Sequence, residues 1–253
     1  MAILDIQNCI KTFGGLIAVK NLSMTLDKGD LYGLIGPNGA GKTTVFNLIT
    51  GVYEPDDGTI RLETKPIEGM KPSAIAKLGI SRTFQNIRLF QSMTVLENVK
   101  LARHMRRRQT SWDAILRTER LRSEEEEIER DALELLKIFH LDQNAHDLAS
   151  NLPYGSQRRL EIARALATRP KLLLLDEPAA GMNPQESVDL MDLIRRVREE
   201  FGLTILLVEH NMRVIMGVCE KIQVIDYGET IAIGPPREIQ DNPKVIEAYL
   251  GGA

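Results

Sequence analysis

Apolar residues cluster in four short runs along the chain: Leu31 to Ile35, Leu172 to Leu175, Thr204 to Val208 and Ile222 to Ile225. Each run is strand-sized and apolar at consecutive rather than alternate positions, as a strand buried on both faces requires. Helix-like segments lie close to each of them, and this alternation predicts a mainly parallel sheet. The first 30 residues and the stretch DGTIRLETKPI (57–67) instead read as antiparallel strands with Gly and Asp turns, a side sheet packed on the core. From about Val95 to Leu148 the strand pattern stops. Ile128, Ala132, Leu135, Leu136 and Phe139 then fall on one helical face, which predicts a helical subdomain inserted into an α/β core. The expected division of this single domain, 1–253, is a core with its antiparallel sheet over 1–86 and 165–253, and the helical part over 87–164.

Composition narrows the classes. With 253 residues, 43% of them hydrophobic, the chain has enough material for a sizeable core. A formal net charge of −3 gives no reason to expect a nucleic-acid partner, because phosphate-backbone binding shows as a basic excess. The longest apolar runs fall far short of the roughly 20 residues that a spanning helix needs, and MAILDIQNCI carries no basic leader. Cys9 and Cys219 are too few and too distant for a disulfide framework or a metal cluster, so a reducing cytosol is expected. Glu124 to Glu127 and the cluster Arg103, Arg106, Arg107 and Arg108 read as solvated helix surface, with a membrane-surface role for the arginines as the alternative.

The segment GLIGPNGAGKTT carries Gly36, Gly41, Lys42 and Thr43 in the spacing G-x-x-x-x-G-K-[ST], after an expected strand and before an expected helix. A polyphosphate needs several N–H donors converging on it. Glycines let the backbone fold tightly, and the helix after them adds its positive end. The cradle is expected from Gly36, Pro37, Asn38, Gly39, Ala40, Gly41, Lys42, Thr43 and Thr44, with amides around Gly39 to Thr44 closest to the phosphates. Lys42 supplies a point charge to the β- and γ-phosphates, and the Thr43 hydroxyl is a Mg²⁺ ligand. Further on, KLLLLDEPAAGMN ends an apolar strand in Asp176 and Glu177, at the edge of a parallel sheet where ligands sit. The adjacent carboxylates divide the work: Asp176 holds the metal shell, and Glu177 polarises the water that attacks the γ-phosphate. A guanine reader is not expected, because the only near match to its motif, Asp27 to Asp30, lies on the wrong side of the loop.

Gly155 and Ser156 precede a further helix with Leu160, Ile162, Ala163 and Leu166. Its first turn offers unpaired N–H groups and a positive dipole end. Lys42 already engages one γ-phosphate, so this second receptor points to a nucleotide bound by another copy, in a head-to-tail dimer with two ATPs at its seam. The competing reading is a structural helix capped by Ser156.

The phosphate loop, Gln85 in SRTFQNIRLF, the segment Leu152 to Ser156, LLLLDEP and His210 in VEHNM succeed one another in an order that resembles the ATP-binding-cassette (ABC) ATPases over nearly the whole chain. The resemblance implies a P-loop NTPase fold of α/β class that uses ATP and Mg²⁺. It further implies that Phe13 stacks on adenine, that Gln85 touches Mg²⁺ or the attacking water and faces a transmembrane partner, and that His210 contacts the γ-phosphate. Tyr154, Gly155 and Ser156 would act in trans. Where the family has Leu-Ser-Gly-Gly-Gln, this chain reads Leu152-Pro153-Tyr154-Gly155-Ser156. Pro153 therefore lacks the hydroxyl and the N–H that the family's serine offers. Asn183 stands where the family usually has Asp, which removes the charge from a cross-dimer contact.

Within that family, LPYG, RRLEIARAL, RTFQNIRLF and EPAAGMNP are similar to the LivG-type ATPases of high-affinity branched-chain amino acid importers. The implied partners are a second cassette subunit, either self or a LivF-type paralogue, two permease subunits, and indirectly an external substrate-binding protein. The implied place is peripheral, on the cytoplasmic face of the membrane. Gln85 sits just before NIRLF, where a cytoplasmic permease helix would feel closure. The alternatives are the ATPase of another cassette transporter, for urea, another amino acid or a lipid, then a non-transport cassette switch, and last a single-copy P-loop kinase or GTPase.

Overall fold

The computed structural model describes residues 1–104 and 119–250. Arg106, Arg107 and Arg108 of the arginine cluster lie outside the described residues. The chain divides into two compact units, one made of 1–85 with 171–253 and the other of 86–170.

In the first unit the apolar runs become strands buried at every position: β3 (Leu31–Ile35), β7 (Leu172–Asp176) and β8 (Thr204–Val208). With β6 (Ile80–Arg82), β9 (Lys221–Asp226) and β10 (Glu229–Gly234) they form a six-stranded sheet in the order β10-β9-β3-β8-β7-β6. All neighbours are parallel except β10, which folds back on β9 through the tight turn at Tyr227 and Gly228, both with positive φ. The segments expected to be antiparallel are so: β1 (Ala2–Phe13), β2 (Leu16–Asp27), β4 (Asp57–Leu62) and β5 (Lys65–Pro66) form a second sheet in the order β2-β1-β4-β5. One buried cluster joins the sheets, from Leu4, Ile6 and Leu26 through Phe46 and Ile49 of helix α1 (Lys42–Ile49) to Leu34, Leu174 and Leu206. Each such side chain contributes about 1.5–3 kcal/mol by leaving water. The remaining helices of this unit are α2 (Pro72–Leu78), α6 (Pro184–Phe201), α7 (Met212–Val218), α8 (Pro236–Gln240) and α9 (Pro243–Leu250). Cys9 and Cys219 are free and buried, and burial raises both thiol pKa values, that of Cys9 to about 11.

The second unit is helical, with α3 (Val95–His104), α4 (Glu119–Ile138) and α5 (Tyr154–Ala167). Its described residues form no strand beyond an isolated bridge between Thr94 and Leu148. The expected apolar face is the packed one: Ile128, Ala132, Leu135, Leu136 and Phe139 are all buried, and α3 packs on both α4 and α5. Glu126 and Glu127 face solvent, as expected of a charged run. Arg103 does not. Its side chain is 12% exposed and pairs with Asp131, which also holds Arg169 at 3.0 Å, so this arginine belongs to a helix–helix contact rather than a solvated face.

Candidate functional site

Because β9, β3, β8, β7 and β6 run parallel, their carboxyl ends share one edge of the sheet. Along that edge, in strand order, lie Tyr227 after β9, the glycine loop after β3, His210 beyond β8, Glu177 after β7 and Gln85 beyond β6.

The loop from Gly36 to Gly41 is wedged between both sheets. A Cβ on Gly36 would lie 2.0 Å from the Ile225 carbonyl oxygen, and one on Gly41 (φ 103°) 2.4 Å from that of Ala18, so both positions admit only glycine. The Ala40 carbonyl is fixed by the Gly228 N–H at 3.0 Å. Gly41 is the N-cap of α1 and makes no side-chain cap bond, which leaves the dipole end of the helix to whatever meets the loop. Lys42 is buried and curls back, donating from Nζ to the Gly36 and Pro37 carbonyls at 2.6 and 2.9 Å. Burial lowers its pKa, and the nearby Glu177 and Asp176 carboxylates oppose that shift. Thr43 is exposed on the first turn and Thr44 half-buried. An uncapped helix start with an ammonium held at its mouth fits a phosphate group.

Two strands away, Asp176 ends β7 as a buried carboxylate and Glu177 leaves the sheet in the left-handed region (φ 47°), its N–H bonded to the Val208 carbonyl at 2.9 Å. The Glu177 carboxylate accepts from Gln85 Nε2 at 2.9 Å and lies 3.4 Å from His210 Nδ1. Three residues far apart in sequence thus meet at one oxygen. Asp176 pairs with Arg82 at 2.8 Å, both side chains nearly buried, and Arg82 also donates to Asn47 Oδ1 at 2.7 Å. The guanidinium carbon lies 5.3 Å from the Phe46 ring and 5.0 Å from that of Phe84. Next to His210, the fully buried Glu209 accepts the Ala179 N–H at 2.9 Å, and desolvation raises its pKa. Among the described residues no group of three or more His, Cys, Asp or Glu could hold a metal. Asp176, the Thr43 hydroxyl and the Gln85 amide lie along the same edge of the sheet, and a carboxylate, a hydroxyl and an amide are donors that suit a magnesium ion drawing most of its shell from phosphate oxygens and water.

Phe13 is partly exposed near the end of β1, edge-on to Tyr53 with centroids 5.0 Å apart and with Lys11 Nζ 5.6 Å from its ring. Asp56 pins that strand end, accepting from Lys11 Nζ at 2.7 Å and from the Thr12 N–H and hydroxyl at 2.6 Å each. These bonds, that from Lys11 first, hold its pKa down at about 2.

At the other receptor two expectations change. Gly155 and Ser156 do not precede a helix, because α5 begins at Tyr154 and both lie inside its first turn. Nor is Ser156 a cap: the N-cap is Pro153, which makes no side-chain bond, and Ser156 Oγ accepts from Arg159 at 3.0 Å. Proline's fixed φ and missing N–H suit it to a helix start, and Tyr154 stands exposed beside it. Asn183 is taken up as the N-cap of α6, in a capping box in which its Oδ1 accepts the Glu186 N–H at 2.9 Å and Glu186 accepts the Asn183 N–H at 3.0 Å. Sequence reasoning missed Arg82, Asn47 and Glu209. Arg82 precedes Gln85 by three positions, but its strand is too short to stand out as a pattern.

A family model described as ABC transporter matches residues 19–180, and one described as branched-chain amino acid ATP-binding cassette transporter matches 229–253. The chain is similar to the high-affinity branched-chain amino acid transport ATP-binding protein LivG of Salmonella typhimurium, with 46% identity over 99% of this chain and 98% of that one. It is similar in structure to the ADP conformation of MJ1267, an ATP-binding cassette of an ABC transporter, with TM-score 0.86, 33% identity and 99% of each chain covered. It is also similar to the ATP-binding cassette MJ0796 in a dimeric post-hydrolysis state bound to ADP and Pi, with TM-score 0.78, 27% identity, and 92% of this chain and 99% of that one covered.

Proposed function

The chain belongs to the ABC transporter family, and from that premise we propose that it is the ATP-hydrolysing subunit of an importer for branched-chain amino acids. Its near-full-length likeness to LivG and the match over 229–253 support the cargo class. The dimeric, product-bound relative supports two subunits closing on ATP.

The observation that carries the mechanism is the meeting of Gln85 and His210 at the Glu177 carboxylate, on the sheet edge that also bears the Lys42 loop. Amides from Gly39 to Thr44 grip the phosphates, and Lys42 releases the loop carbonyls to meet the γ-phosphate. Glu177 accepts a proton from the attacking water, Gln85 orients that water, and His210 stabilises the charge that builds on the γ-phosphate. Thr43, Asp176 and Gln85 would hold Mg²⁺, which supplies neutralising charge to the phosphate oxygens. Phe13 stacks on adenine. The first turn of α5, with Tyr154, Gly155 and Ser156, meets the γ-phosphate of the other subunit through backbone amides and the helix dipole, since Pro153 has no N–H to give. No described helix is long and apolar enough to cross a membrane. In this reading the subunit meets the cytoplasmic face through two permeases.

The test is Glu177→Gln. That variant should bind MgATP, accumulate as closed dimer in light scattering and lose about 100-fold or more in turnover. Turnover near wild type would remove Glu177 from the role of base. Solitary molecules in saturating MgATP, even beside the companion subunits, would end the shared-seam reading.

A further inference from the structure

Arg158 is the bulkiest fully buried side chain among the described residues, an unusual fate for a guanidinium. One nitrogen donates to Glu161 Oε2 at 2.9 Å and another to the Tyr154 hydroxyl at 3.2 Å, with the guanidinium carbon 5.9 Å from the Tyr154 ring. Glu161, equally sequestered, uses its other oxygen to accept the backbone N–H of Arg88 at 3.2 Å. The segment that begins there is clamped again two residues on. Buried Asn98 accepts the Phe90 N–H at 3.0 Å and donates to the Phe90 carbonyl at 3.1 Å. Arg164 lies over the Phe90 ring, 5.5 Å from its centroid.

A buried ion pair is a poor way to gain stability, because desolvating two charges offsets most of their attraction and apolar side chains of similar size do as well. What this pair does that apolar residues could not is hold two separate segments by directed bonds. Glu161 has one oxygen on Arg88 and the other on Arg158, and Arg158 reaches Tyr154. In a packed interior, a shift of about 1 Å at Arg88 breaks or drags the first bond, and the rest of the line must move with it.

We propose that Arg158 and Glu161 are positioning residues that tie the segment Arg88 to Phe90 to the Tyr154 end of α5. A permease helix pressing on the former then resets how Tyr154, Gly155 and Ser156 are presented to the nucleotide of the other subunit. This rests on the transport reading above and adds to it the residues that carry the signal.

The experiment uses the intact complex, the chain with the two permease subunits of the transport reading, in proteoliposomes. In the wild type, hydrogen exchange should change together at Arg88 and at Tyr154 to Gln157 when the permeases are present. The double variant Arg158→Met/Glu161→Leu, which removes both charges and keeps the volume, should fold and show a permease stimulation of ATPase reduced by about tenfold relative to its own basal rate. Glu161→Gln keeps an acceptor for Arg88 but turns an amide N–H donor towards the Arg158 guanidinium, so it breaks the line at its second bond and should lose stimulation as the double variant does. An unchanged stimulation ratio in the folded double variant overturns the proposal, as does an exchange response at Arg88 without one at the start of α5 in the wild type, a readout that survives if the double variant does not fold. If the permeases neither stimulate the wild type nor alter exchange at Arg88, it is the transport reading that fails.

Discussion

Replacing Arg82 by Met tests the electrostatics beneath the acidic strand. The guanidinium is nearly buried between Asp176 and Asn47 and flanked by the Phe46 and Phe84 rings. Removing one member of a buried pair strands the other charge, at about 3–5 kcal/mol. Losing the ring contacts adds about 1 kcal/mol. Methionine returns apolar contact to the same rings, which offsets a similar amount, so the net cost stays at about 3–5 kcal/mol. For a chain of this size each kcal/mol moves Tm by about 2–4 °C, so nucleotide-free Arg82→Met should melt about 6–20 °C below wild type. Adding Asp176→Asn removes the stranded charge. The double variant should therefore recover about half of the loss instead of adding to it, a non-additivity that calorimetry on all four proteins reads directly. MgATP should narrow the gap between Arg82→Met and wild type, because a cation beside Asp176 supplies the missing charge. A shift under about 2 °C, the low end of what one kcal/mol produces, or strict additivity, would show that Arg82 does not hold Asp176 in this way.

Lys42→Ala should weaken ATP binding by about 10- to 100-fold in titration calorimetry, the worth of a charge-assisted contact to phosphate; unchanged affinity would argue against the loop as the phosphate site. Glu209→Gln keeps an acceptor for the Ala179 N–H and removes a carboxylate whose pKa burial has raised. Folded wild type then binds more protons than unfolded chain above the ordinary carboxylate value of 4.5, so its stability falls as pH rises through that window. The variant should gain on wild type from pH 4.5 upward and match it below, as melting curves against pH would reveal. Asp56 runs the other way, its folded pKa of about 2 lying below the ordinary 3.8, so its contribution is present above 3.8 and lost as pH falls towards 2. Melting curves of wild type and Asp56→Asn should converge over that interval, and curves that stay parallel would exclude the Asp56 bonds as the cause.

What could be read in the sequence was the chemistry built from contiguous residues. A phosphate cradle needs its glycines, lysine and threonine side by side, and a buried parallel strand is a continuous apolar run, so the Lys42 loop, β3, β7 and β8 stood out with their bounds nearly correct. Gln85 and His210 rested on resemblance, because the partner that gives them meaning, Glu177, is 92 residues from the one and 33 from the other. The partners of Arg82 lie 35 and 94 residues away, that of Glu209 30 and that of Glu161 73, and single-chain periodicity says nothing at such separations. Arg103 read as a surface residue because Asp131 was out of sight on another helix. The start of α5 was misjudged because Ser156 has a capping side chain, while the turn is set by the fixed backbone of Pro153 instead.

The glycine loop is walled by Ala18 on one side and by Ile225 and Gly228 on the other. During synthesis, a ribosome that has released the loop and its helix has released only one of those walls. The grip on ATP therefore matures late in translation, since Gly41 and Gly228 are 187 positions apart. A nascent chain thus carries the complete phosphate motif well before the second wall of its pocket has been made.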